Sequence, residues 1–146
     1  ALAKSGPHGN SRAAEIAMVF ASMARYGDAA DSVLELPAGV YSPELVAEAS
    51  RLLRTAPSAV ASPESLPRLA SLGWVYLHVG APMRALEFYE EVGGDTALLW
   101  HSSYAPVRKT GRFKAILRNA GLVEYWRERG WPEFCHPTTG DDFVCD

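Results

Sequence analysis

The sequence predicts an all-α fold of short helices, and three observations carry that prediction. Apolar residues recur at three-and-four spacing in one segment after another. No segment keeps a period-two alternation between hairpin turns, so no sheet is placed. Glycine and proline fall mainly between the apolar stripes, which suits short helices with tight connections. The bulk properties agree with a globular chain. At 146 residues it fits one ordinary domain, and 48% hydrophobic with 21% charged residues is enough to bury a core. A net charge of −3 gives no global reason to expect nucleic acid or an anionic membrane as partner. No apolar run approaches the roughly 20 residues that span a bilayer.

The opening, 1–11, carries Gly6, Pro7, Gly9 and Asn10 and is expected to be a flexible lead-in. It has neither a starting Met nor a signal-peptide core, so a fragment or a processed form is expected. The first helix is read from the stripe Ile16, Ala17, Val19, Phe20 and Met23, with Gly27 as its end. Asp28 then caps a shorter helix carrying Ala29, Ala30, Val33 and Leu34, which Pro37-Ala38-Gly39 breaks. Ser42-Pro43-Glu44 opens the next helix. Serine accepts from a free N–H of the first turn, proline suits the first helical position, and glutamate faces the positive end of the dipole. Leu45, Val46, Ala49, Leu52 and Leu53 form its buried face. The same tripeptide at Ser62-Pro63-Glu64 is expected to start another helix.

The stretch from Leu66 to Gly94 reads Leu69, Leu72-Gly73, Tyr76, Gly80, Ala85 and Tyr89. This resembles a tetratricopeptide repeat, a helix–turn–helix unit of about 34 residues. The residue types make physical sense. Gly73 and Ala85 are small where two helices cross, Tyr76 fills the groove between them, Gly80 supplies the turn and Pro82 starts the second helix. Tyr89 packs toward the next unit. Leu69 stands where the repeat usually has Trp, and Val92 where it has a small residue. A lone repeat cannot bury its apolar face, so at least about three stacked units are needed. The resemblance therefore implies a short α-solenoid of antiparallel helix pairs near 12–36, 42–64 and 66–93. The repeats would occupy 12–94, and 95–146 would form a helical C-terminal aromatic cap.

That last part carries stripes at Phe113, Ile116, Leu117 and Ala120, then Leu122, Tyr125 and Trp126 up to Gly130. The run Gly121-Leu122-Val123-Glu124-Tyr125-Trp126…Gly130-Trp131-Pro132-Glu133-Phe134-Cys135…Asp141-Asp142-Phe143-Val144-Cys145 resembles the C-terminal ends of bacterial multidomain regulators. In these, tetratricopeptide-type repeats follow a winged-helix or cyclase output domain. The resemblance implies a regulatory or scaffolding part and brings no catalytic residues with it. Trp126, Trp131, Phe134 and Phe143 are assigned to the cap: Trp131, Phe134 and Phe143 are expected to fold over the last helix pair and cover its apolar face, which includes Phe113, Leu117 and Trp126.

Candidate chemistry is sparse. Cys135 and Cys145 are too few for a disulfide framework. They are expected to be two thiols in a cytoplasmic protein, which is the favoured compartment. A bridge is the alternative, and it would point to an oxidising compartment such as the periplasm. Cys135, His136 and Cys145 with Asp141 or Asp142 are residue types that zinc accepts, but no Cys-x2-Cys knuckle accompanies them, so no metal is assigned. Arg108, Lys109, Arg112, Lys114 and Arg118 concentrate positive charge, read as a solvated helix face. His101, Ser102 and Ser103 lack the orienting acid of a triad. The four tryptophans, Trp74, Trp100, Trp126 and Trp131, are read as core.

The expected function is therefore non-catalytic, without cofactor. The chain would be a protein–protein interaction or scaffolding module that binds a peptide, a protein or an adjacent domain of the same protein. The groove positions are Arg68, Ser71, Val75 and His78, which lie off the Leu69, Leu72, Tyr76 stripe. The alternative is a small-ligand sensor with a pocket between the last repeat and the cap, lined by Trp100, Tyr104 and Trp126.

Overall fold

The breakers separate short helices as expected, and one segment departs from helix. The computed structural model describes residues 9–58, 62–93 and 96–146. Over these the chain is mostly helical, with one two-stranded sheet near its end. It divides into two compact units, Ala1–Ala85 and Leu86–Asp146. The division falls inside the stretch assigned to one repeat.

The first unit begins with α1 (Gly9–Ser22), α2 (Tyr26–Leu34) and α3 (Pro43–Thr55), packed in sequence order. Most of the expected lead-in lies outside the described residues, but Gly9 and Asn10 already belong to α1. The turn out of α1 also differs. Ala24, at φ 58°, makes it, and Gly27 sits inside α2. Asp28 does not cap α2; it pairs with Arg25 at 2.8 Å in the first turn. The buried face of α1 is Ala17, Met18 and Ala21, whereas Ile16, Val19 and Met23 are 44%, 50% and 59% exposed. The reason is steric. Ala17 and Ala21 face a helix that buries Ala29 and Ala30, and small residues on both sides permit a close approach that larger side chains would prevent. Ser42 caps α3 by accepting from Leu45 N–H at 3.1 Å, and Val46, Ala49, Leu52 and Leu53 are buried. Ser50 Oγ donates to Ala30 O at 3.1 Å, tying α3 to α2.

Ser62-Pro63-Glu64 starts only a single 3-10 turn, Pro63–Ser65. The expected repeat helix over 66–79 is a 3-10 helix from Ala70 to His78. Tyr76 reaches back to its start, where the hydroxyl donates to Pro67 O and accepts from Leu69 N–H. Arg84 Nη1 donates to Leu66 O at 2.6 Å and Pro63 O at 2.9 Å, while its guanidinium lies 4.6 Å from the Tyr76 ring centre. Gly80 turns the chain at φ 77°. Gly73 and Ala85 do come together: a β-carbon at Gly73 would sit 3.6 Å from the Tyr76 ring and 3.9 Å from the Ala85 α-carbon.

In the second unit α4 (Glu87–Val92) is followed by 3-10 turns at Ala97–Trp100 and Ser102–Val107. Next come α5 (Gly111–Asn119), capped by Thr110, and α6 (Leu122–Arg129). The chain ends in a hairpin of β1 (Cys135–Pro137) and β2 (Phe143–Cys145), antiparallel, with Cys135 opposite Cys145. Asp146 N–H donates to Phe134 O at 2.8 Å and Thr138 N–H to Asp142 O at 3.0 Å. Those bonds flank the cysteines, which therefore occupy a non-hydrogen-bonded pair, where facing α-carbons approach to about 4.5 Å. Their α-carbons are 4.1 Å apart and the sulfurs are joined. This corrects the expectation of two thiols. Sequence spacing hid the bridge because only the strand register brings the pair face to face.

Candidate functional site

The groove positions read from the sequence do not form one surface. Arg68 and Ser71 are exposed, His78 is half-buried, and Val75 is fully buried. Val75 therefore has no surface to offer a partner. The cause is burial on every side: Leu72, Gly73, Trp74, Val75 and Tyr76 are all buried in this 3-10 helix, so its middle leaves no open face for a groove. The His78 ring lies 5.8 Å from Tyr26 and 6.2 Å from Trp74.

The tail aromatics form a continuous cluster inside the second unit. Trp100 meets Phe113 at 5.6 Å, Trp126 at 6.2 Å and Phe134 at 4.5 Å between ring centres. Trp131 lies 5.6 Å from both Trp126 and Phe143. Phe143 is fully buried, and Phe134 remains 43% exposed. Trp100 and Trp126 thus spend their faces on each other and on their neighbours. Tyr104 is buried too, with Tyr89 edge-on at 6.3 Å. Burial, and the Tyr89 hydroxyl beside it, hold the Tyr104 phenol protonated well above the usual range.

The basic set is mostly committed to structure. Arg108 is buried, and its guanidinium donates to Leu99 O at 3.1 Å, Asp146 O at 3.0 Å and His101 O at 2.5 Å. Burial pulls its ionisation below the ordinary arginine value. Lys114 pairs with Asp142 at 2.9 Å, and Arg118 lies 5.1 Å from the Phe143 ring centre and 3.7 Å from Asp142. Arg127 donates to Asp141 O at 2.8 Å. The Lys114 hydrogen bond, followed by the Phe143 N–H, holds the Asp142 carboxyl below its usual value. These cations fasten the hairpin turn to α5 and α6. A solvated-face reading of the charges missed this, because the acidic partners are more than twenty residues away in sequence for Lys114 and Arg118.

The second unit also carries a cleft of about 370 Å³ between α4 and α5. Tyr89 and Ile116 are its buried floor, and Ala115 and Ala120 are small residues beside them. Glu90, Gly93, Arg112 and Asn119 are exposed around its rim. Arg112 donates to Glu90 through both Nε and Nη2. That hydrogen bond outweighs a lesser burial effect and raises the Arg112 ionisation above its ordinary value. None of Trp100, Tyr104 or Trp126 lines the cleft. No sequence pattern announces it, since Glu90 and Arg112 are met only through the packing of two distant helices.

Both cysteines are consumed by the bridge, and among the described residues no group of three or more His, Cys, Asp or Glu is assembled for a metal. His101 Nδ1 accepts from Ser103 N–H at 3.2 Å, a local cap rather than the activation of a hydroxyl. Among the described residues no helix is long and apolar enough to cross a membrane. No family of known proteins, no curated protein and no solved structure matches the chain.

Proposed function

We propose that this chain is a non-catalytic interaction module built from tetratricopeptide-like helix pairs, serving as a scaffolding or regulatory part of a larger bacterial protein. The observation that carries the reading is the outer face of α1 and of the turn that follows it. Ile16, Val19 and Met23 follow one another at helical spacing, and each is about half exposed. The helix already buries a second face, Ala17, Met18 and Ala21, so its own core does not account for the outward stripe. Contiguous exposed apolar side chains on an otherwise well-packed unit mark surfaces that meet another protein. The close approach of Gly73 and Ala85, and the in-order packing of α1, α2 and α3, support the tetratricopeptide-like part. For the alternative, a small-ligand sensor with a pocket between the last repeat and the cap, the lining expected from Trp100, Tyr104 and Trp126 draws no support from rings that pack on one another.

The test compares the wild-type chain with Val19→Glu and Arg68→Glu in affinity capture from a bacterial lysate. Val19 is exposed, so the thermal midpoint of Val19→Glu should stay within experimental error of the wild type. The reading expects a stoichiometric partner with the wild type that Val19→Glu loses. If the Arg68→Glu variant alone loses it, the partner meets the 3-10 helix region instead of α1. Identical captured proteins in all three samples would refute the module.

A further inference from the structure

The α4–α5 cleft has the chemistry of a small-molecule site, and we propose that it binds a neutral planar heterocycle bearing adjacent hydrogen-bond donor and acceptor atoms, of the kind an adenine ring presents. The proposal stands apart from the protein-partner reading, since the cleft shares no residue with the α1 stripe or with the 3-10 helix.

Four features select this ligand class. The volume of about 370 Å³ lies at the low end of small-molecule sites, which run from about 300 to 1,000 Å³. The floor, Tyr89 and Ile116, is apolar and calls for an apolar body. Gly93, Ala115 and Ala120 bring little or no side chain to the walls, so a flat ring can slide between the α4 and α5 sides. The polar groups then fix its edge and its charge. Asn119, the last residue of α5, lines the cleft, and among the described residues no hydrogen bond engages its carboxamide. A carboxamide holds an acceptor and a donor side by side. It pairs in two-point fashion with a ring edge of the same pattern, as asparagine does with N6 and N7 of adenine.

Charge narrows the class further. Among the described residues of the lining Arg112 is the one cation, and Glu90 binds it at two nitrogens. The pair is neutral as a whole, and a phosphate or carboxylate entering the cleft would have to displace Glu90 to reach the guanidinium. The geometry therefore favours an uncharged ring over a nucleotide.

The experiment is an NMR titration of the 146-residue chain with adenosine, purine riboside and adenosine monophosphate. Adenosine should give saturable shifts at the Asn119 side-chain amide and at Ala115 and Ile116. Purine riboside, which lacks the exocyclic amine, should bind about fivefold more weakly, the lower end of a lost two-point contact. The monophosphate should bind no more tightly than adenosine. Asn119→Ala should reproduce the loss seen with purine riboside. Ala115→Trp, at an exposed position, should fill the cleft and abolish the shifts while leaving the unfolding midpoint unchanged. The proposal is overturned if adenosine gives no saturable shift up to about 10 mM, where even a millimolar complex would be nearly full. Shifts that map away from α4 and α5, or that survive Ala115→Trp, overturn it as well. Tenfold tighter binding of the monophosphate would overturn the neutral class, by showing that Arg112 leaves Glu90 for phosphate.

Discussion

Replacing Arg108 by alanine is the sharpest test of how the second unit is held. This guanidinium joins two stretches of backbone, one carrying Leu99 and His101 and the other Asp146, and lies 5.8 Å from the Trp100 ring centre. Each hydrogen bond from a charged donor contributes about 1.5–3 kcal/mol net when its partner would otherwise be left unsatisfied. Here only the Leu99 bond is fully buried, and water can reach the other two carbonyls once the side chain is gone. The total loss should therefore be about 2–4 kcal/mol, well below the sum of three. For a unit of this size that lowers the melting midpoint by about 15–30 °C. Urea denaturation followed by near-ultraviolet circular dichroism measures it through the tail tryptophans. Arg108→Met keeps the apolar stem and separates packing from hydrogen bonding. Arg108→Lys should recover only part of the loss, because an ammonium donates from one point and cannot span three carbonyls set around a planar fork. A loss under about 0.5 kcal/mol for Arg108→Ala, the size of an ordinary surface substitution, would refute this reasoning. So would full stability in Arg108→Lys.

Three other outcomes follow from the packing. A methyl at Gly73 would make ordinary contacts at 3.6–3.9 Å, so Gly73→Ala should be tolerated, whereas Gly73→Leu should cost about 1–3 kcal/mol by overpacking against Tyr76 and Ala85; equal denaturation midpoints for the two variants would show there is no close crossing. The paired variant Cys135→Ala, Cys145→Ala opens a loop of sequence separation 10 and should lose about 2–3 kcal/mol in non-reducing buffer, with dithiothreitol lowering the wild type toward it. A wild type indifferent to reduction would mean the strand ladder alone holds the tail. Tyr104 keeps its proton in the folded state beyond the point at which the unfolded chain releases it, near pH 10. Its contribution is therefore complete below that pH and is lost as pH rises above it. Tyr104→Phe should flatten the alkaline fall in stability, which an unchanged pH profile would contradict.

Local signals in the sequence determined the helices whose ends carry their own chemistry. Ser42-Pro43 caps α3 because the capping bond spans three residues, and the stripe behind it is long enough to leave no doubt about its buried face. The α5 stripe, Phe113, Ile116 and Leu117, was legible for the same reason, and so was the gathering of Trp126, Trp131 and Phe143. Tertiary structure decided what local rules leave open. It chose alanines over larger side chains for the buried face of α1, since the distance between two helices depends on both partners. It drew Ala70–His78 into a 3-10 helix and buried it from Leu72 through Tyr76, which took Val75 out of the expected groove and into the interior. It set the register that joins Cys135 to Cys145, and it assigned Lys114 and Arg118 of α5 to Asp142 of the hairpin turn. The α4–α5 cleft belongs wholly to this second class. Its floor and rim come from segments separated by some twenty residues, and periodicity within either helix carries no information about what the other brings to it.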